Sequence, residues 1–158
     1  MSKPKVYIES TVVSYLTAEP SRDLLAAAHQ QITREWWQRV LPLCEPYVSP
    51  VVLEEIVKGD REQARRRLDA VSGMSSLTMN QDIHRLANLY FTKIDLPERA
   101  MADAFHLALA TWHQMDYLVT WNCSHIASGR VRAILERLNA KAKLHKTVMC
   151  TPEELMEV

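Results

Sequence analysis

The chain has 158 residues, 47% hydrophobic and 24% charged, with 19 Lys+Arg against 19 Asp+Glu. These figures describe a single globular domain, 1–158, able to bury roughly 70% of the surface its unfolded chain exposes, with no need of disulfides or a structural metal. Three glycines and seven prolines exclude long disordered, collagenous or low-complexity tracts, and a net charge of zero leaves phosphate binding to a local basic surface or a metal.

Lys5 to Ile8 reads as a strand, and Glu9-Ser10-Thr11 as a polar triplet opening a helix. From Ser21 as N-cap, the spacing of Leu24, Leu25, Ala28, Ile32, Trp36 and Val40 predicts a long amphipathic helix ended by Pro42. Tyr47-Val48-Ser49 reads as a strand, Ser49-Pro50 as N-cap and first helical residue, and Val51 to Lys58 as a short helix closed by Gly59. A charged helix over Arg61 to Ala70 follows, then a strand at Leu77-Thr78-Met79 and a helix over Asn80 to Phe91. Pro97 leads into an Ala-rich helix, Ala100 to His113. Tyr117 to Thr120 is the most strand-like segment, Ile126 to Leu138 is helical, and Thr147 to Cys150 is a last strand before a terminal helix opened by Thr151-Pro152-Glu153-Glu154. Five strands alternating with helices predict an α/β fold, a three-layer α/β/α arrangement with a central parallel sheet and right-handed crossovers.

Cys44, Cys123 and Cys150 are odd in number and widely spaced, which fits neither a disulfide framework nor a zinc site and points to reduced cytosol. The N-terminus shows no apolar signal stretch, and the most apolar region, Ala100 to Trp112, is too short to span a bilayer and carries Asp103 and His106. A cytoplasmic protein away from membranes is the expectation.

In an open parallel sheet, function collects at the carboxyl ends of the strands. The pattern places Glu9, Glu54, Glu55, Asp103, Thr120 and Asn122 near those ends. At about 100° per residue, Glu54 points away from the apolar face made by Val52, Leu53, Ile56 and Val57, whereas Glu55 sits at its border and suits a shared cleft. Asp103 lies on a helix apolar nearly all round, where a carboxylate is costly unless paired, hydrogen-bonded or metal-bound; a first-turn acid favoured by the helix dipole is the plainer reading. Three carboxylates brought together gain most by sharing a hard divalent cation, and phosphodiester hydrolysis is the matching chemistry.

Val6 to Thr11, Ser49 to Gly59, Asp103 to Ala108 and Asp116 to Asn122 occur in the order and spacing of PIN-domain ribonucleases, and over nearly its whole length the chain resembles the VapC-family toxins of type II toxin-antitoxin systems. The resemblance implies a PIN-like fold and a Mg²⁺- or Mn²⁺-dependent endoribonuclease acting on single-stranded or structured RNA. It also implies a homodimer restrained by a VapB-like antitoxin. By motif position, Glu9, Glu55 and Asp103 correspond to the metal-site acids, Thr120 to the threonine after the fourth strand, and Asn122 to the fourth acid. Glu9 stands where Asp is usual and Asn122 is neutral, so a weaker second metal site or a single-metal site is expected.

Ser10 and Thr11 are candidates to contact a metal-bound water or phosphate, or simply to cap the helix. His125 is a substrate-contact candidate; His106, one helical turn from Asp103, reads as a packed or partly exposed histidine, with a supporting role or a nitrogen ligand as the alternative; and Asp116 falls outside the site. Arg130 and Arg132 lead a basic stretch continued by Arg137, Lys141, Lys143 and Lys146, suited to an RNA backbone or to a solvated face. Lys58, Arg61, Arg65, Arg66 and Arg67 form a second basic cluster. Trp36 and Trp37, which cannot both face one core, mark with Tyr15 and Leu16 a candidate dimer or antitoxin surface. Two other classes compete with the nuclease: a PIN-fold binding or regulatory module with weak or no nuclease activity, and a receiver-like or phosphatase-like domain. The latter lacks an Asp on the first strand to carry a phosphoryl group.

Overall fold

The computed structural model describes residues 2–158. Five strands, β1 (Lys5–Ile8), β2 (Glu45–Val48), β3 (Ser75–Ser76), β4 (Tyr117–Val119) and β5 (Val148–Cys150), form one all-parallel sheet in the order β3-β2-β1-β4-β5. Seven α-helices connect them: α1 (Ser10–Thr17), α2 (Leu24–Arg39), α3 (Pro50–Ile56), α4 (Arg61–Val71), α5 (Gln81–Ile94), α6 (Met101–Trp112) and α7 (Gly129–Lys141). The chain steps one way across the sheet from β1 to β3, then returns to lay β4 and β5 on the other side of β1. Right-handed crossovers therefore put α1 to α4 on one face and α5 to α7 on the other. Packing follows this division, with α1 against α2, α3 and α4, and α5 against α6 and α7. The result is the three-layer α/β/α fold the sequence predicts.

The strands are short but central. Val6, Tyr7 and Ile8 are fully buried, as a parallel strand covered on both faces requires. Register pairs Tyr7 with Tyr47 on one side and with Leu118 on the other. Helix starts are set by side-chain caps: Ser49 accepts from the Val52 N–H, Asn80 from Ile83 and Ser128 from Val131. Gly59, at φ +88°, supplies the left-handed turn between α3 and α4. Among the described residues no helix is long and apolar enough to cross a membrane.

Several sequence expectations shift. The long helix begins at Leu24, capped by Asp23 rather than Ser21, and Leu24 and Leu25 stand in solvent at 87% and 66% exposure. The third strand is Ser75–Ser76, two residues before the predicted Leu77-Thr78-Met79, because the ladder with β2 ends where the Leu77 N–H meets the Val48 carbonyl. The helix after β4 starts at Gly129 rather than Ile126, since Ser128 is the residue able to cap it. The terminal helix is only a 3-10 turn, Glu153–Leu155. Trp36 and Trp37 both serve the core: Trp36 is fully buried with its indole N–H on the Leu155 carbonyl, and Trp37 packs partly buried against the same cluster. A single helix face wide enough for adjacent residues to flank the core accommodates both.

Candidate metal and catalytic site

The crevice for a ligand in such a sheet lies where strand order reverses, between β1 and β4 at their carboxyl ends. Glu9 and Thr120 are the residues that follow those two strands, and the Glu9 N–H still pairs with the Val119 carbonyl. Glu9 is the N-cap of α1 and 2% exposed. Its Oε1 accepts the Thr11 hydroxyl at 2.5 Å and the Thr120 hydroxyl at 2.6 Å; its Oε2 accepts the Ser10 hydroxyl at 2.8 Å and the Thr11 N–H at 3.2 Å.

Backbone donors aim those hydroxyls. The Trp121 N–H donates to Thr11 Oγ1 and the Asn122 N–H to Thr120 Oγ1, both at 2.9 Å, so each hydroxyl hydrogen is left to point at Glu9. The loop carrying these amides is itself pinned. The Trp121 indole N–H bonds Thr33 at 2.7 Å and its ring stacks on His29 with centroids 4.0 Å apart, while Asn122 Oδ1 accepts the Ser124 and His125 N–H groups.

Glu55 arrives from α3 and faces Glu9, whereas Glu54 is exposed. The Ser10 hydroxyl lies within hydrogen-bond reach of both carboxylates, 2.8 Å from Glu9 Oε2 and 3.1 Å from Glu55 Oε1. The one Ser10 hydrogen is thus shared between two carboxylates. His106, fully buried on α6, places Nε2 2.6 Å from Glu55 Oε1 and Nδ1 2.7 Å from the Tyr7 hydroxyl. Burial alone would raise the Glu55 carboxyl, but the hydrogen bond and charge of His106 leave it below the ordinary value. For His106, burial pulls downward and is outweighed by the Glu55 hydrogen bond and the charges of Glu9, Glu55 and Asp103, so its basicity rises.

Asp103, on the first turn of α6, has a side chain 15% exposed and bonds His125 Nδ1 at 3.1 Å. Burial raises its carboxyl above the ordinary value; His106 opposes this, Glu9 adds to it, and His125 and Asn122 lower it. The donor atoms lying within 4.8 Å of one another belong to Glu9, Glu55 and His106, and Asp103 is not among them.

Of the residues singled out in the sequence, Glu9, Ser10, Thr11, Glu55 and Thr120 meet directly, and Asp103, His125 and Asn122 join at one side. Ser10 and Thr11 serve Glu9, combining capping with placement of the carboxylate. Arg130 and Arg132 do not point into this cluster: Arg130 donates to the Ile94 carbonyl, and Arg132 to the Met149 carbonyl and Glu154. In the second basic cluster Arg67 closes the end of α3 on the Ile56 and Lys58 carbonyls, and Arg66 pairs with Glu19. The sequence reading underweighted His106 and did not single out Tyr7. A signal existed for the first, since His106 lies one helical turn from Asp103; a tyrosine inside an apolar strand carries none. Compared with models of known protein families and with curated proteins, the chain matches neither.

Proposed function

We propose that the chain is a divalent-cation-dependent endoribonuclease of the PIN-domain kind, the VapC-like toxin of a type II toxin-antitoxin pair. The observation that carries this reading is the meeting of the Glu9 and Glu55 carboxylates, from separate elements, over one Ser10 hydroxyl at the carboxyl-edge crossover between β1 and β4. The donor set fits Mg²⁺ or Mn²⁺: carboxylate oxygens dominate, and a single Ser10 hydrogen is shared between two of them. Glu9 and Glu55 would hold such a cation, which would supply neutralisation of phosphate charge and a water of lowered pKa as a source of hydroxide.

The chain's own residues do the rest. Thr11 and Thr120 hold Glu9 in one orientation, and Ser10 keeps Glu9 and Glu55 in register. His125 steadies Asp103, and Asn122 Oδ1 in turn holds the His125 backbone N–H. RNA, a VapB-like antitoxin and a second copy of the chain are the partners of this reading, in the cytoplasm. Basic residues beyond the tied Arg130 and Arg132, namely Arg137, Lys141, Lys143 and Lys146, supply phosphate contacts.

One observation favours the second reading, a PIN-fold binding or regulatory module. Glu9 already accepts four hydrogen bonds, about the full acceptor capacity of a carboxylate, so it is satisfied as a helix cap without any ion. The deciding experiment is cleavage of an end-labelled RNA pool with Mn²⁺, Mg²⁺ or EDTA, beside Asp103→Asn. Discrete products that need metal and vanish in the variant support the nuclease. Folded protein that neither cleaves nor binds metal gives the site to the second reading.

A further inference from the structure

The side chain that reaches the site from deepest in the core is not a carboxylate. His106 is fully buried, yet both ring nitrogens are engaged, Nδ1 by the Tyr7 hydroxyl and Nε2 by Glu55. Tyr7, on the central strand, also meets Ser49 Oγ at 2.7 Å, and Ser49 is the residue that caps α3, the helix bearing Glu55. The ring is therefore anchored on one nitrogen by the core, and its other nitrogen is aimed at the crevice.

We propose that Glu9, Glu55 and His106 form a mixed oxygen-nitrogen site, with His106 Nε2 as a direct ligand, that takes a first-row transition ion in the range Mn²⁺ to Zn²⁺ in preference to Mg²⁺. This rests on the reading above that the carboxylate cluster holds a cation, and it specifies which. Mg²⁺ takes oxygen donors and gains little from imidazole, whereas transition ions gain much. Metal-ligating histidines have the second ring nitrogen held by another group that fixes tautomer and direction, and Tyr7 holds Nδ1 in that way. The three donor atoms lie within 4.8 Å of one another, so small side-chain shifts bring all three to metal-donor distances of about 2.0–2.2 Å. The ion takes the place of the hydrogen that now joins Nε2 to Glu55: the neutral ring then carries its one hydrogen on Nδ1 and donates it to the Tyr7 oxygen, whose own hydrogen goes to Ser49 Oγ, and any second ring proton leaves to solvent.

The test is pulsed EPR of the full chain loaded with Mn²⁺, alongside chelator-competition titrations with Mn²⁺, Zn²⁺ and Mg²⁺. A ¹⁴N coupling of directly bound imidazole is expected in the unmodified protein and is lost in His106→Gln. Tyr7→Phe keeps the coupling but lowers Mn²⁺ affinity about 10–100-fold, as loss of a ligand's hydrogen-bond partner does. Mn²⁺ that binds, is lost in Glu55→Gln and shows no nitrogen coupling overturns this inference while leaving the carboxylate reading intact. Folded protein that binds no Mn²⁺ overturns both. The spectrum of the unmodified protein decides even where His106→Gln does not fold.

Discussion

Tyr7 and Tyr90 are both fully buried, and the regions around them differ in charge rather than polarity. The Tyr90 hydroxyl donates to Asn139 Oδ1 across the α5–α7 contact, a neutral pair that joins two helices. The Tyr7 hydroxyl joins Ser49 and His106, and through His106 it reaches Glu55, Ser10 and Glu9. Burial raises both phenols, but Glu9 and Glu55 add their repulsion only at Tyr7. A buried polar group is common and is satisfied locally. The carboxylates that Tyr7 reaches lie at a strand-order reversal, the setting of the proposed cation.

The comparison breaks most visibly in activity. Glu55→Gln is expected to lower metal-dependent RNA cleavage by at least about 100-fold, since even indirect supports of a metal site cost about 10–100-fold; Tyr90→Phe leaves the rate within about twofold. Equal losses in an end-labelled RNA assay would erase the distinction between the two regions. Next in size is Thr120→Val, which removes one hydroxyl from Glu9 Oε1 while keeping shape. A loss of about 10–100-fold in Mn²⁺ affinity is expected, and unchanged affinity by titration would make Glu9 a cap alone.

On the architectural side, Tyr90→Phe strands a buried amide oxygen and is expected to cost about 1–3 kcal/mol in urea unfolding. The smallest effect is pH-dependent. Burial holds the Tyr90 phenol above its ordinary 10.0 in the fold, against the Thr111 and Asn139 hydrogen bonds. Folding therefore favours the protonated form, and this stabilisation is complete below the unfolded value and disappears as pH rises through the folded one. Urea midpoints measured above about pH 9 should fall less steeply in Tyr90→Phe than in the unmodified chain; parallel slopes would remove Tyr90 from the linkage.

Much of the frame was legible because periodicity and caps are local. Ser49-Pro50, Asn80 and the apolar run before Glu9 each announce an element, and the switch between strand and helix spacing announces a parallel sheet. Glu55 could be separated from Glu54 by helix geometry alone, and Asp103 stood out as an acid on an apolar helix. The misplaced boundaries have local rivals: Ser21 and Asp23 are both good caps, and Leu77 is more strand-like than the serines that pair with β2.

By itself, the sequence determined the layer order and singled out Glu9 and Glu55, the two carboxylates that share Ser10, because hydrophobic spacing and chain order survive without coordinates. Only the tertiary structure decided the partners of Tyr7, His106, Thr11 and Thr120, since a hydroxyl or imidazole has no preferred partner until the chain brings one within about 3 Å. It also tied Arg130 and Arg132 to backbone carbonyls and turned Trp36 and Trp37 toward the core. Residues 42 to 111 positions apart meet at Glu9, Tyr7 and His106, and contact across such separations depends on how the helices close over the sheet.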